Sequence, residues 1–187
     1  MKDNLTEVIV LCDDNVPVAD FSETVKVVKA KLKAANSERE IRLSLYEFGA
    51  ERKKLFENIP ITQLTAKKLF SPHKSHEVTL IDSAMELAHE TGVRYSNTPV
   101  EEIPSRIVFL IITFGKDNAS KKYTYDNLRE MIEHQSYVYK WEFFILTDSS
   151  FVVEKLGLPE QNVVYSYTDT EGFFPSAMGE LVVRILR

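Results

Sequence analysis

Two clusters of polar residues follow apolar runs in this sequence, and their residue types could bind a ligand. The first cluster, Asp13, Asp14 and Asn15, directly follows the run VIVLC, and the second, Lys116 and Asp117, follows RIVFLIIT. In a parallel α/β protein, a junction of this kind lies where a buried strand reaches the ligand-binding edge of the sheet. Carboxylate and amide oxygens are ligands for hard cations such as Mg²⁺ and Mn²⁺, so a metal site is the first chemistry to weigh.

A cation site could draw on Asp13 and Asp14 together with Glu77 or Asp117, which lie in or beside the same predicted loops. The alternative is that these carboxylates are merely solvated. A cation of this type takes roughly six or more oxygen ligands, and few are on offer. That scarcity favours solvated carboxylates over a weak Mg²⁺ or Mn²⁺ site.

Two histidines, His73 and His76, are close enough in sequence to suggest a zinc site. Zinc usually takes three or four protein ligands, and the remaining donors are poorly placed. Cys12 lies in an apolar run that predicts burial, while His89 and His134 lie on separate predicted helices. We therefore expect the two histidines to form a surface pair in a loop.

Motifs of nucleophilic and nucleotide chemistry are missing from the sequence. It has no Gly-x-Ser-x-Gly elbow, no Gly-x-Gly-x-x-Gly pattern and no Walker-type loop. Cys12 is a poor candidate nucleophile because the carboxylates of Asp13 and Asp14, which follow it, would raise the pKa of its thiol. The sequence therefore predicts a protein that is not an enzyme, and an α/β enzyme with an unfamiliar active site ranks last among the hypotheses.

Composition predicts one soluble, cytoplasmic domain over residues 1–187. The net charge of -5 provides no basic surface for nucleic acid. The apolar runs are far shorter than the roughly 20 residues of a membrane helix, and no apolar signal region follows the charged N-terminus. The single cysteine excludes an intramolecular disulfide. We expect no cofactor, no nucleic-acid partner and no membrane partner.

The apolar pattern predicts strands that alternate with amphipathic helices along the chain. The predicted strands are Val8–Cys12, Ile41–Phe48, Lys54–Ile59, Arg106–Thr113, Trp141–Leu146 and Gln161–Ser166. The predicted helices are Phe21–Ala35, Val78–Thr91, Tyr125–Tyr139, Phe151–Leu156 and Phe173–Leu186. This order predicts a three-layer α/β/α doubly wound domain, with a mostly parallel sheet and one antiparallel edge strand at Lys54–Ile59.

Three local features of these elements are also predicted. Gly92 is expected to end the helix that begins at Val78, since glycine often follows the last helical residue. The strand Ile41–Phe48 alternates apolar and polar residues, so one of its faces is expected to be less buried. Thr62–His76 is expected to be a loop with one short helical turn around Ala66–Phe70.

The order of elements resembles the von Willebrand factor A (VWA) domain, in particular its compact bacterial and phage versions. VIVLCDDNV resembles the family's first strand, which normally runs into an Asp-x-Ser-x-Ser metal motif. EVTLIDSAMEL resembles its Thr-x-Leu-x-x-Ala helix start, and LIITFGKDNAS resembles the strand that usually ends in Thr-Asp-Gly. The likeness covers nearly the whole chain. It implies a metal-ion-dependent adhesion site, in which one metal position stays open for a carboxylate of a partner protein.

Most of the family's metal ligands have no counterpart in this chain. Asp13 matches the first aspartate, but Asn15 stands at the first serine and Pro17 at the second. A proline ring cannot bind a metal, whereas an asparagine carbonyl could. The family's threonine falls at or beside Val78, and a shift of one residue that would bring Thr79 into place breaks the leucine spacing. The resemblance therefore implies a degenerate site that retains only Asp13 and Asn15.

Phe114 stands where the family has the aspartate of Thr-Asp-Gly. Two alternatives stay open for its ring. It could fill the space of a lost metal site, or it could belong to an apolar contact patch on the surface.

The leading hypothesis is a non-catalytic protein-binding module or scaffold subunit with a degenerate metal site. Its partner, a protein of unknown identity, would be bound by an edge made of Asp13, Asp14, Asn15, Thr79, Phe114, Lys116 and Asp117. The alternative hypothesis is an adhesion-like switch that depends on a divalent cation bound at Asp13 and Asn15.

Overall fold

The structure is a computed structural model that describes residues 1–15, 26, 30, 40–64, 75–165 and 173–186. The predicted helix Phe21–Ala35 lies outside the described residues, except that Lys26 and Ala30 are helical and exposed. The predicted helical turn at Ala66–Phe70 and the histidine His73 also lie outside them.

Six strands form one mixed sheet in the described part of the chain. They are β1 Lys2–Asp13, β2 Glu40–Phe48, β3 Arg52–Pro60, β4 Pro104–Thr113, β5 Glu142–Thr147 and β6 Val163–Tyr165. Their spatial order is β3-β2-β1-β4-β5-β6. The pair β2–β3 is antiparallel and the other pairs are parallel. The predicted fold class is confirmed, including the single antiparallel edge strand.

Four helices of the described chain cover the two faces of this sheet. They are α1 Leu80–Ser96, α2 Tyr125–Tyr139, α3 Ser150–Leu156 and α4 Phe173–Leu186. Helices α1, α2 and α3 pack on one face through residues such as Leu87, Leu128 and Val152. Helix α4 packs on the other face through Leu181 and Ile185. The sheet is therefore the middle layer of three, as the strand pattern predicts.

The prediction that Gly92 ends its helix is wrong. Helix α1 continues through Gly92 to Ser96, because its last turn makes strong contacts with the sheet. Arg94 and Tyr95 both bind the carboxylate of Glu7 on β1. These tertiary contacts outweigh the low helix propensity of one glycine, which costs about 1 kcal/mol.

The prediction that one face of β2 is less buried holds only at the start of the strand. On that face Glu40 and Arg42 are partly exposed, whereas the strand is buried from Leu43 to its end. Ser44 is fully buried because its hydroxyl donates to Glu7 Oε1 at 2.7 Å. A polar residue in a strand therefore need not face water when a neighbouring strand supplies an acceptor.

In the described part of the chain, none of the helices is both long enough and apolar enough to span a bilayer.

Candidate functional site

The two polar clusters lie together at the carboxyl ends of the central strands. β1 and β4 are parallel neighbours, with Cys12 beside Ile112 in the register. The next residues are Asp13 and Thr113, and the Thr113 hydroxyl lies 3.4 Å from Asp13 Oδ2. The sheet therefore brings to one edge two segments that are 100 residues apart in sequence, as the parallel arrangement predicts.

Asp13 is fully buried, and its carboxylate is surrounded by donors of its own chain. The backbone N–H and the side-chain amide of Asn15 both donate to Oδ1 at 2.9 Å. The Thr113 hydroxyl and the Phe114 N–H lie 3.4 Å from Oδ2. The protein thus compensates the buried charge of Asp13 with hydrogen bonds, which a buried carboxylate requires.

The side-chain amide nitrogen of Asn15 is the centre of this cluster. It lies 2.9 Å from Asp13 Oδ1, 3.1 Å from Asp14 Oδ1 and 3.0 Å from the Ser75 carbonyl oxygen. All three neighbours are acceptors, so the amide must present N–H₂ to them and turn its oxygen away. Asn15 therefore places hydrogen-bond donors between two carboxylates. A cation at the same position would need lone pairs from its ligands, which N–H groups do not supply.

The turn after β2 connects the Asp14 loop to the start of helix α1. A Cβ atom at Gly49 would lie 2.1 Å from Asp14 Oδ2, so this approach requires glycine. Asp14 Oδ2 also accepts from the Ser75 N–H at 3.1 Å. The Gly49 carbonyl accepts from both the N–H and the hydroxyl of Thr79, at 3.1 and 2.8 Å. Thr79 is thus held by the β2–β3 turn, and its hydroxyl also lies 3.0 Å from Ser83 Oγ.

Asp117 binds the first turn of helix α1 from the loop after β4. Its Oδ2 accepts from the Ile81 N–H at 2.9 Å and from the Ser120 hydroxyl at 2.6 Å. Thr79, the residue at the N-cap position, makes no side-chain cap of its own. Asp117 therefore satisfies a free N–H of the helix and places a negative charge at its positive end.

Sequence reasoning missed Asn118, which ties the same loop to the segment before α1. Its side-chain oxygen accepts from the Val78 N–H at 2.7 Å, and its side-chain amide donates to the His76 carbonyl at 3.0 Å. The Asn118 and Ala119 N–H groups both donate to the Val78 carbonyl. The only signal in the sequence is the pair Asp117-Asn118, since these residue types often bind backbone groups in loops.

Phe114 and Lys116 face different surroundings from Asp13. The Phe114 ring packs against the core cluster on the α4 side of the sheet, which contains Cys12 and Ile112. Lys116 is exposed, and its ammonium nitrogen lies 4.4 Å from the centre of the Phe151 ring. That distance is typical of a cation–π contact.

Neighbouring acids affect Cys12 but do not form a metal cluster in the described residues. Burial raises the pKa of the Cys12 thiol, and the charges of Asp13, Glu47 and Asp14 raise it further, as expected for a thiol that stays protonated. Among the described residues, no three His, Cys, Asp or Glu side chains are grouped so that they could hold a metal. His76, one of the two histidines of the predicted surface pair, is exposed.

A second polar cluster, centred on Glu7, was missed by sequence reasoning. Glu7 is fully buried on β1 and accepts from Arg94 at 2.8 and 3.1 Å, from Ser44 and from the Tyr95 hydroxyl. The pKa of Arg94 is raised: burial lowers it, but the hydrogen bonds and charge of Glu7 outweigh burial. Burial and Glu7 together raise the pKa of Tyr95. A cleft of about 450 Å³ opens beside this cluster.

Solved structures of one mussel protein share this fold. They are forms of proximal thread matrix protein 1 (PTMP1) from the mussel byssus. Crystal form 2 has a TM-score of 0.59 at 12% identity over 98% of this chain and 49% of that chain. A second structure has a TM-score of 0.60 at 13% identity, over 98% and 48% of the two chains. A third, with a zinc-occupied MIDAS motif, has a TM-score of 0.55 at 14% identity, over 98% and 48%.

This chain spans about half the length of each of those chains. At this level of identity the likeness establishes the fold, which is VWA-like. No protein-family model matches the sequence, and no curated protein matches it.

Proposed function

We propose that this chain is a non-catalytic protein-binding module, or a scaffold subunit, whose contact with its partner needs no metal ion. The VWA-like fold supports an interaction role, since the resemblance implies binding of a protein at the carboxyl edge of the sheet. The chemistry of that edge supports the absence of a metal from the contact.

The side-chain amide of Asn15 carries this proposal. It lies within hydrogen-bond distance of Asp13 Oδ1 and Asp14 Oδ1, so the two carboxylates already share one donor of the chain. A hard cation would need those same oxygens and would meet N–H groups where it needs lone pairs. The internal amide thus supplies the compensation that a metal ion would otherwise provide.

Other side chains at this edge also support a contact that needs no metal ion. The Thr79 hydroxyl is bound to the Gly49 carbonyl, and Asp117 is bound to the start of α1. Phe114 offers a ring in place of a carboxylate and packs against the core. These residues support the loops of the edge, so we propose that the site is degenerate with respect to metal.

One observation favours the rival hypothesis of a cation-dependent switch. Asp13 and Asp14 each place a carboxylate oxygen within 3.1 Å of the Asn15 amide nitrogen. A divalent cation that displaced this amide would meet two carboxylate oxygens. The two hypotheses differ in whether a metal stabilises the folded chain, because a ligand bound only by the folded state must raise its stability.

The deciding experiment is a thermal melt of the purified chain in EDTA, compared with melts in millimolar Mg²⁺, Mn²⁺, Ca²⁺ and Zn²⁺. We expect the same midpoint in every condition. Asn15→Ala should lower the midpoint equally with and without metal, because Asp13 and Asp14 lose their shared donor. Asp126→Ala, at an exposed carboxylate on α2, is the matched control for non-specific metal binding.

A rise in midpoint with one metal that Asp13→Ala abolishes and Asp126→Ala leaves intact would establish the cation switch instead. Capture of a protein partner by the immobilised chain should likewise be equal in EDTA and in Mg²⁺. Capture that requires Mg²⁺ would also count against the proposal.

A further inference from the structure

Several exposed apolar side chains of the described chain lie at the end of the sheet opposite to Asp13. Tyr137 and Tyr139, at the end of α2, are 79% and 60% exposed, and Val93 on α1 is 47% exposed. Val93 and Tyr139 border a groove of about 590 Å³, which we call the basal groove. It lies where the ends of α1 and α2 meet the amino ends of β4 and β5.

The floor of the basal groove is aromatic and firmly packed. Trp141, directly before β5, stacks on Phe109 with ring centres 5.6 Å apart and meets Tyr95 edge-on at 6.4 Å. Trp141 and Tyr95 line the groove together with Ile107 and Ile103. A rigid apolar floor of this size can receive one or two apolar side chains without rearrangement.

Trp141 also brings an unused hydrogen-bond donor to the groove. It is 6% exposed, and its indole N–H has no acceptor among the described residues. Although it has no acceptor there, that nitrogen is not fully buried. The N–H therefore reaches solvent, and a ligand in the groove could accept from it.

The charges around the basal groove indicate the chemistry of its occupant. Among the described residues that line it, Lys140 and His89 can carry a positive charge, and none is Asp or Glu. Within the described residues, the Lys140 ammonium donates to the Tyr137 carbonyl at 2.8 Å and lies 5.2 Å from the centre of the Tyr137 ring. A carboxylate of the occupant would therefore meet Lys140 at the rim with no like charge on the lining opposing it.

We propose that the basal groove binds an acidic segment of a protein partner, in which an apolar side chain enters the groove and a neighbouring carboxylate meets Lys140. Tyr137 and Val138, the two residues before Tyr139, are exposed as well, which favours a macromolecule over a small ligand. Exposed tyrosines around a buried tryptophan are typical of protein interfaces. This inference rests on the proposed function, that of a protein-binding module, and adds a contact surface at the end of the sheet opposite to the Asp13 edge.

The test is selection from a display library of random peptides against the folded chain in EDTA. Binding is then measured by the fluorescence of Trp141, the only tryptophan of the sequence. We expect the selected peptides to combine apolar side chains with Asp or Glu. Val93→Asp and Lys140→Glu should each weaken their binding by about tenfold or more, because each change places a carboxylate in the groove or at its rim.

Matched controls carry the same changes elsewhere. Val100→Asp alters an exposed valine that does not line the groove, and Lys121→Glu reverses an exposed lysine at the opposite edge. Both should bind the selected peptides as the wild type does. Melts of all four variants confirm that each one folds.

Several results would overturn the inference. Peptides that are basic, that bind the groove variants unchanged, or that are not enriched at all would each exclude an acidic segment in the groove. A wild-type dimer that Val93→Asp makes monomeric in sedimentation would show that a second copy covers the groove. Peptides that bind without metal but away from the groove would overturn this inference alone. A parallel selection in Mg²⁺ that yields peptides dependent on both Mg²⁺ and Asp13 would overturn the proposed function as well.

Discussion

Arg94 binds Glu7 with both of its terminal guanidinium nitrogens, at 2.8 and 3.1 Å, and this contact fixes the end of helix α1 to strand β1. The start of the same helix is held by Asp117 at the opposite edge of the sheet. β1 itself carries Glu7 at its middle and Asp13 at its carboxyl end. The helix and the strand therefore form one braced unit, which positions the polar edge and forms a wall of the basal groove.

Removing one partner of the Glu7–Arg94 pair should destabilise the fold strongly. Arg94→Ala leaves the Glu7 carboxylate, 1% exposed, without its counter-charge, and we expect a loss of about 3 kcal/mol or more. Urea unfolding measures it. Arg129→Ala is the control, because its ion pair with Asp126 is exposed and should contribute under about 0.5 kcal/mol. Equal losses for the two variants would show that the buried ion pair contributes no more to stability than the exposed pair does.

Gly49→Ala and Gly92→Ala should act in opposite directions. A Cβ at Gly49 would lie 2.1 Å from Asp14 Oδ2, so the Asp14 loop must shift, at a cost of about 1–3 kcal/mol. A Cβ at Gly92 meets nothing within 4 Å inside helix α1, so alanine should stabilise by up to about 1 kcal/mol. Thermal melts of the two variants check both signs. A neutral Gly49→Ala would mean that Asp14 does not pack on the turn as described.

Asp117→Ala tests whether this carboxylate supports the fold or is free for a partner. Loss of its bonds to the Ile81 N–H and to Ser120 should cost about 1–2 kcal/mol. Asp126→Ala, which removes an exposed acid from the first turn of α2, should cost clearly less. Urea unfolding of both variants gives the comparison. If Asp117→Ala leaves the stability unchanged, the Asp117 carboxylate is free for a partner, as the predicted partner-binding edge requires.

Stability should fall as the pH rises into the alkaline range. Burial, together with neighbouring carboxylates, raises the pKa of the Cys12 thiol and of the Tyr46 and Tyr95 hydroxyls. In the unfolded chain these groups lose their protons from about pH 8.5 for cysteine and about pH 10 for tyrosine. The folded chain then binds more protons than the unfolded chain. Each such group therefore contributes a slope of about -1.4 kcal/mol per pH unit, until its own folded-state pKa is reached.

Urea unfolding between pH 8 and 11 measures this slope. Tyr95→Phe should make it less steep above pH 10, because one of the contributing groups is gone. Tyr137→Phe, at a tyrosine exposed to solvent, is the matched control. A slope that is the same for wild type and Tyr95→Phe would contradict the conclusion that folding raises the pKa of the Tyr95 hydroxyl.

The sequence alone determined the elements and the edge at which polar loops meet. Continuous apolar runs such as VIVLC are typical of strands buried on both faces, and helical spacing located α2 and α4 at their observed bounds. Parallel strands then bring Asp13 and the loop after Thr113 to one edge. Local patterns suffice for this because burial of an apolar face depends on residues that are near in sequence.

Tertiary structure alone decided what the polar residues do. Glu7 finds Arg94 87 residues away, and Asp117 finds the Ile81 N–H across 36 residues, so no local pattern could pair them. The same tertiary contacts allow helix α1 to continue beyond Gly92. The same holds for the Asn15 amide, whose role depends on the positions of Asp13, Asp14 and the Ser75 carbonyl. A hydrogen bond is set by distance and direction in space, whereas sequence spacing reports only which residues share an element.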